Sequence, residues 1–328
     1  PMVLMPFIQR RVRRDFINFM AQKNELLALV GATAVGKTAL ALWLAERLAI
    51  EVVSADSRQV YRGLDIGTAK PGLEERQALP HHLVDVVEPE QALSLAEYQR
   101  LAYRAIEDVQ QRGHLPLLAG GSGQYVRAVL EGWQIPSVPP DERLRAALQR
   151  EAEAVGLEAF HARLRQIDPQ AARAIDPRNV RRVIRALEVY HKTGRPISEL
   201  QKRRPPPYRI LKIGLTLPRP LLYRRIDERV ERMIEKGLVA EVEGLLQRGY
   251  SADLPAMSGL GYRQIVGYLR GEVSLEQAVQ QIKRETRRFA RQQYVWFRLE
   301  DETIRWFDLS REDKEAVLEA ITAFLEGG

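Results

Sequence analysis

The sequence predicts an α/β fold, a parallel sheet flanked by helices and interrupted by an inserted all-helical domain, and three observations carry that prediction. From Glu25 onward strand-like and helical runs alternate: Leu26-Leu27-Ala28-Leu29-Val30, a helix through Leu48, Glu51-Val52-Val53-Ser54-Ala55-Asp56, a helix over residues 92–111, then Leu115-Pro116-Leu117-Leu118-Ala119-Gly120. Such alternation yields parallel strands, because each return to the same edge of a sheet needs a long crossover and a helix supplies it. Residues 133–140, rich in proline, break the alternation, and residues 141–191 carry helical periodicity alone. Residues 209–217 then read as a buried strand that rejoins the sheet. The expected organisation is an N-terminal extension over 1–24, the first part of the core over 25–135, a helical insertion over 136–200, and a return to the core with basic C-terminal helices over 201–328.

The extension is basic and weakly amphipathic, and Arg10, Arg11, Arg13 and Arg14 interrupt its apolar residues, which excludes the uninterrupted stretch of a secretory signal. The expected reading is an extra surface helix or an overlong gene start, with a transit peptide as the alternative. At the end of the insertion Gly194 suits a helix C-cap. In residues 220–236, Leu222, Ile226, Val230 and Met233 recur at helical spacing and read as a core-facing stripe. A long helix from Ser274 carries a second stripe, Ile282, Phe289 and Trp296, beside a basic row, Arg284, Arg287, Arg288 and Arg291. Ser310 is the expected N-cap of a final amphipathic helix.

Composition narrows the function classes. The 328 residues contain no cysteine, which removes disulfides, thiolate nucleophiles and cysteine-ligated zinc, and only 5 scattered histidines, too few for an evident metal cluster. No apolar run approaches the roughly 18 residues of a membrane span, so no membrane association is expected. The formal charge is +7, and residues 1–135 balance 15 basic against 15 acidic residues, so the whole excess lies beyond them. Residues 173–204 alone hold ten Lys and Arg against three Asp and Glu. A basic half of this kind fits a polyanionic partner, although a solvated arginine-rich surface has the same composition.

The strongest local signal is Gly31-Ala32-Thr33-Ala34-Val35-Gly36-Lys37-Thr38, which fits the phosphate-loop pattern G-x-x-x-x-G-K-[ST] between a strand and a helix. Glycines let successive backbone N–H groups turn toward one anion, and the helix that follows directs its positive dipole end to the same point. Lys37 adds a full charge, and Thr38 is suited to hold a magnesium ion that bridges phosphate oxygens. A parallel sheet with this loop is P-loop NTPase-like. By itself the loop would fit a small-molecule kinase or an ATPase.

Further motifs turn the reading elsewhere. Ser54-Ala55-Asp56-Ser57-Arg58-Gln59-Val60-Tyr61, Asp65-Ile66-Gly67-Thr68-Ala69-Lys70-Pro71, Pro80-His81-His82-Leu83 and Gly120-Gly121-Ser122-Gly123-Gln124-Tyr125 follow the phosphate loop in order. Asp168-Pro169, the run from Arg178 to Glu188, Gly261-Tyr262-Arg263-Gln264, and Arg287-Arg288-Phe289-Ala290-Arg291 with Trp296-Phe297-Arg298 complete the series. Together they resemble the tRNA dimethylallyltransferase family over residues 26 to about 298.

That resemblance implies transfer of a dimethylallyl group from dimethylallyl diphosphate to N6 of the adenosine 3′-adjacent to the anticodon, with Mg2+ as cofactor and release of diphosphate. It implies Asp56 as general base, with magnesium coordination or loop capping as its alternative roles, and Lys37, Thr38 and Arg225 as catalytic groups at the diphosphate. Arg224 and Arg229 compete with Arg225 for the last assignment. It implies contacts with the tRNA from Asp56, Ser57, Arg58 and Gln59, the last carrying the paired donor and acceptor that read an adenine edge. Ser122, where the family usually has threonine, and Arg145 are further implied contacts. The same role falls to Arg181, Arg182 and Arg185, to Gly261, Tyr262 and Arg263, and to Arg287, Arg288, Arg291, Trp296 and Arg298. Two residues depart from the family pattern, Gln292 in place of arginine and Val295 in place of threonine. The expected partners are a tRNA anticodon stem-loop and the prenyl diphosphate, acted on by a monomer in the cytoplasm. A transferase acting on free adenine nucleotides and a P-loop kinase are the competing readings.

Overall fold

Six strands, β1 (Glu25–Gly31), β2 (Ile50–Ser54), β3 (His81–His82), β4 (Leu115–Ala119), β5 (Arg209–Thr216) and β6 (Ile304–Asp308), form one sheet in the order β3-β2-β4-β1-β5-β6. Every neighbouring pair is parallel, as the alternating pattern requires. The structure is a computed structural model that describes residues 24–327, so the N-terminal extension expected over residues 1–24 lies outside the described residues except for Asn24. All seven residues of β1 and all five of β2 are buried. A central parallel strand is covered on both faces, which explains its unbroken apolar run in place of the alternation of a half-exposed strand.

Helices α1 (Lys37–Ala45), α2 (Leu73–Ala78), α3 (Leu95–Gln111) and α4 (Gly123–Leu130) follow the early strands. Leu40 and Leu44 of α1 meet Leu27, Leu29, Leu117, Ile213 and Leu215 of the sheet in one buried cluster. Two buried charged residues sit near strand starts. Glu25 is ion-paired to Arg209, its register partner on β5. Glu51, 3% exposed, accepts from both Nε and Nη2 of Arg112 at 3.1 and 2.7 Å and is joined by His82 Nε2 at 2.6 Å and His114 Nδ1 at 2.7 Å.

Burial alone would raise the Glu51 pKa, but the hydrogen bonds from Arg112, His82 and His114 outweigh it and hold the group at about 2. Because the folded chain binds this proton less tightly than the unfolded one, the stabilisation is complete above about pH 4.5 and is lost as the pH falls toward 2. Glu51→Gln removes the charge beneath three donors while Arg112 stays half in water. We expect a loss of about 2–3 kcal/mol in denaturant melts at neutral pH, shrinking as the pH approaches 2. An unchanged midpoint at neutral pH would exclude a stabilising role for the cluster.

Residues 94–100 and 127–207 form a separate compact unit. Its helices α5 (Glu142–Val155), α6 (Leu157–Ile167), α7 (Pro169–Ala174), α8 (Val180–Thr193) and α9 (Ile197–Leu200) enclose Leu148, Phe160, Leu164, Val183 and Leu187. Asp168 caps α7 through the Ala171 N–H and also takes the Ser198 N–H and hydroxyl. Gly194 ends α8 in the left-handed conformation at φ 68°, as expected of that C-cap. The side chain of Glu188 is fully buried and is neutralised by Arg145 at 2.9 Å and Arg185 at 2.6 Å.

The remaining residues complete the unit that holds the sheet, with α10 (Arg219–Glu235), α11 (Leu238–Gln247), a 3-10 turn at Ala256–Ser258, α12 (Tyr262–Leu269), α13 (Leu275–Trp296) and α14 (Lys314–Glu326). Ser274 caps α13 in a capping box with Gln277. Ser310 does not cap the last helix. Asp308 captures both its N–H at 3.0 Å and its hydroxyl at 2.6 Å in a tight turn after β6, and α14 starts only after Asp313.

Candidate active site

Three loops meet where β1, β2 and β4 end, at the carboxyl edge of the sheet where open α/β folds hold their ligands. The first is the phosphate loop. Positive φ angles at Gly31, Ala34 and Gly36 (142, 63 and 114°) curl the chain around a central point. Gly31 is required for a second reason, since a Cβ there would meet the Leu215 carbonyl oxygen of β5 at 2.5 Å. The N–H groups of Gly36, Lys37 and Thr38 donate to no atom among the described residues, leaving the start of α1 open to an anion. Lys37 Nζ rests on the Gly31 and Ala32 carbonyls, both at 2.9 Å. Burial lowers its pKa to about 8, the Arg229 charge adds to that shift, and Asp56 opposes it.

The second loop follows β2. Asp56 Oδ1 accepts the Arg58 N–H at 2.8 Å and the Gln59 N–H at 3.4 Å, so one carboxylate oxygen caps the turn. Oδ2 accepts no hydrogen bond among the described residues and is available for a proton. Asp56, Lys37 and Thr38 line a common cavity of about 910 Å3. The third loop is fixed against the second by backbone: Gly120 lies so close that a Cβ would strike the Ala55 carbonyl, Ser122 N–H donates to Ala55 O, and Ser122 Oγ accepts the Ser57 N–H at 2.9 Å.

Helices α10 and α13 supply the opposite wall. Arg225 donates to the Val35 carbonyl at 3.4 Å, and its Nη1 lies 3.8 Å from the place a Gly36 Cβ would occupy, so this guanidinium borders the phosphate loop. Ile226, Val230 and Met233 of α10 and Ile282, Phe289 and Trp296 of α13 line the same cavity. The α10 stripe reads from the sequence as core, and Leu222, Ile226 and Val230 are indeed buried, while Ile226, Val230 and Met233 also border the cavity together with Phe289, which is 38% exposed. A helix facing a cleft has the same periodicity as one facing a core.

Two residues that sequence reasoning passed over hold the cavity together. Gln293, 3% exposed, accepts the Thr33 N–H at 2.8 Å and donates to the Gly121 carbonyl at 3.0 Å, joining α13 to the first and third loops. Glu241 of α11 accepts the N–H groups of Asp65, Ile66 and Gly67 at 3.0, 2.8 and 3.2 Å and the Tyr262 hydroxyl at 2.6 Å. Neither one had a role in the sequence reading, because the backbone partners lie 172 and 260 residues away for Gln293 and 174–176 for Glu241.

The model of the IPP transferase family matches residues 59–300. The chain belongs to that family. The tRNA dimethylallyltransferase of Roseiflexus sp. (strain RS-1) is 58% identical over 273 residues, covering 83% of this chain and 90% of that protein. That of Thermomicrobium roseum is 54% identical over 292 residues, with 89% and 88% covered. Among solved structures, the full-length tRNA isopentenylpyrophosphate transferase of Bacillus halodurans superposes with a TM-score of 0.69 at 42% identity, over 93% of this chain and 97% of that one. A eukaryotic dimethylallyltransferase acting on tRNA gives a TM-score of 0.79 at 27% identity, over 93% and 80%. The P-loop-type sheet read from the sequence is thus the fold of this IPP transferase.

The side chains expected to touch RNA divide into two groups in this family member. Arg181, Arg182, Arg288 and Arg298 are exposed and have no ion-pair partner among the described residues. Several others are committed inside the protein. Gln59 spends its amide on the Thr68 and Ala69 carbonyls and on Ser54, and Arg58 is engaged by the Pro255 carbonyl at 2.6 Å. Arg145 and Arg185 neutralise Glu188, Arg287 pairs with Asp227, Arg263 pairs with Glu285, and Arg291 donates to Tyr223. Tyr262 is 1% exposed, and its ring lies so close to Gly67 that a Cβ there would meet it. Gly261 opens α12 at φ 93° and gives its N–H to Gln264. Arg178, the first residue of the motif that runs to Glu188, precedes α8 and pairs with Asp176. Trp296 stands over the start of α4, against Gly123.

Proposed function

We propose that this IPP transferase moves the dimethylallyl group of dimethylallyl diphosphate to N6 of the adenosine 3′-adjacent to the anticodon of a tRNA, releasing diphosphate. The observation that carries the reading is one cavity with an amide-lined, cationic end, a carboxylate with a free oxygen, and an apolar wall. Lys37, Arg225 and the open N–H groups of the phosphate loop suit a diphosphate. Ile226, Val230, Met233, Ile282 and Phe289 suit the branched hydrocarbon attached to it. Adenine N6 is a poor nucleophile because its lone pair is shared with the ring, so its proton must leave as the new C–N bond forms. Asp56 Oδ2 is the acceptor for that proton, while Oδ1 keeps the turn in place.

Among the described residues no three His, Asp or Glu side chains form a metal cage. The Thr38 hydroxyl at the phosphate loop does fit a magnesium ion held largely by diphosphate oxygens, the usual arrangement for that ion. When bound, the ion would spread the charge of the departing diphosphate. The exposed arginines Arg181 and Arg182, and separately Arg288 and Arg298, suit tRNA phosphates. No helix among the described residues is long and apolar enough to cross a membrane.

The test is mass analysis of nucleosides from unmodified tRNA treated with the protein, dimethylallyl diphosphate and Mg2+. Gain of one dimethylallyl group on a single adenosine is expected. Faster prenylation of AMP than of tRNA would move the reading to free nucleotides, and ATP turnover without prenyl transfer would overturn it.

A further inference from the structure

Between β2 and α2 the segment 65–70 belongs to no helix or strand, yet its Gly67, Thr68 and Ala69 line the cavity together with Asp56 and Gln59. Backbone without a ladder needs partners from elsewhere, and Glu241 supplies them. Its Oε2 accepts the N–H groups of Asp65 and Ile66, and its Oε1 accepts the Gly67 N–H and the Tyr262 hydroxyl. Four donors thus converge on one carboxylate that stands behind the cavity wall and does not line it. Tyr262 closes over the same spot, since a Cβ on Gly67 would lie 2.5 Å from its ring. Beyond this anchor the chain turns through Ala69 at φ 46°, a left-handed conformation that is costly for a residue with a Cβ. The turn sends the Thr68 and Ala69 carbonyls to Gln59 Nε2, both at 3.3 Å, and Gln59 in turn gives its N–H to Asp56 Oδ1 at 3.4 Å. Lys70 secures the far end of the segment, donating to the Tyr61 carbonyl and to the carboxylates of Asp65 and Asp85. A strained turn held this firmly, with its carbonyls spent on a side chain of the cavity, is the mark of a site shaped in advance.

We propose that Glu241 is a positioning residue for the target adenine: it fixes the 65–70 segment, and through the Thr68 and Ala69 carbonyls the Gln59 amide, so that Asp56 Oδ2 stays open to the incoming base. This assignment rests on the reaction proposed above, in which the N6 proton passes to Asp56 as C1 of the dimethylallyl group bonds to N6. Glu241 touches neither substrate and exchanges no proton. Its effect is to keep a donor occupied. Released from Thr68 and Ala69, the Gln59 NH2 group would need another acceptor, and the Asp56 carboxylate stands in the same turn. A hydrogen bond given to Oδ2 would make that oxygen a weaker base at the moment it has to take a proton. The phosphate loop, built on β1 and α1, does not depend on this path.

Glu241→Gln in the full chain tests the assignment, because it keeps the length of the side chain and sets an NH2 group against one pair of the donors. The kcat for prenyl transfer to tRNA should fall by about ten-fold or more, while calorimetric binding of inorganic pyrophosphate with Mg2+ stays within about two-fold of wild type. A double-mutant cycle separates positioning from mere support of the fold. Gln59→Ala should also slow transfer, and the double variant should be no slower than the slower single one, since the two residues act in series. A residue needed only for folding would give losses that multiply and would weaken pyrophosphate binding as well. Should Glu241→Gln fail to fold, Glu241→Asp, which keeps the charge but withdraws it by one methylene, enters the same cycle with the same expectations. Wild-type transfer in either folded single variant, or losses that multiply, overturns the assignment while wild-type activity leaves the proposed reaction standing. A wild-type protein that prenylates neither tRNA nor AMP would refute that reaction and this role with it.

Discussion

Asp56→Asn is expected to lower the rate of prenyl transfer by about 10² to 10⁴-fold while tRNA affinity stays within about two-fold of wild type. The size of the effect follows from the unequal duties of the two carboxylate oxygens. Oδ1 holds the N–H groups of Arg58 and Gln59, and an asparagine carbonyl oxygen can take over both bonds, so the loop after β2 should keep its shape. Oδ2, free among the described residues, becomes an NH2 group that cannot accept the N6 proton. Single-turnover transfer and filter binding of the same tRNA separate the two duties. A variant with wild-type transfer would remove Asp56 from the chemistry, and one that loses tRNA binding would make it a structural residue.

Lys37→Met should cost about 10² to 10³-fold in kcat/KM for the prenyl donor, the scale seen when one donor to a developing anion is removed. Its distinguishing mark lies in the pH profile. Burial and Arg229 bring the Lys37 pKa down to about 8, so in the free enzyme the ammonium is lost as the pH rises through that value. The wild-type kcat/KM for the donor should be level below pH 8 and fall above it, and the methionine variant should lack that limb. The kcat profile should remain level to higher pH, because a bound diphosphate raises the lysine pKa again. Folding stability from this group runs the other way. Between about pH 8 and 10.5 the unfolded chain binds the proton more tightly, so the lysine contributes more stability as the pH rises through that window. A kcat/KM limb that persists in Lys37→Met would assign the titration to another group.

What could be read from the sequence was what is local in the chain. Eight consecutive residues set the phosphate loop, and the alternation of strands and helices set a parallel sheet, since both depend on neighbours within a few positions. Asp56 could be singled out because the motif that holds it resembles the family's, and it stands in the loop just after β2. Gln293 and Glu241 could not, as each is defined by backbone groups brought to it only by the finished fold. The ion pairs of Arg145 and Arg185 were hidden for a related reason, since only the burial of Glu188 in the finished fold shows that both are paired with it. Gln292, at the cavity, carries no charge, and Val295, 67% exposed, carries no hydroxyl, so the end of α13 offers fewer polar groups there.

Gln293 also constrains how this protein can be redesigned. Its amide is used at both ends, accepting a hydrogen bond from the Thr33 N–H and donating one to the Gly121 carbonyl, and any side chain at position 121 would run into it. A glutamate at 293 keeps the length but sets oxygen against oxygen at Gly121, and a smaller residue abandons both loops. In a library of variants the two positions should therefore tolerate change only jointly, so that randomising one with the other held fixed would return the parental residue.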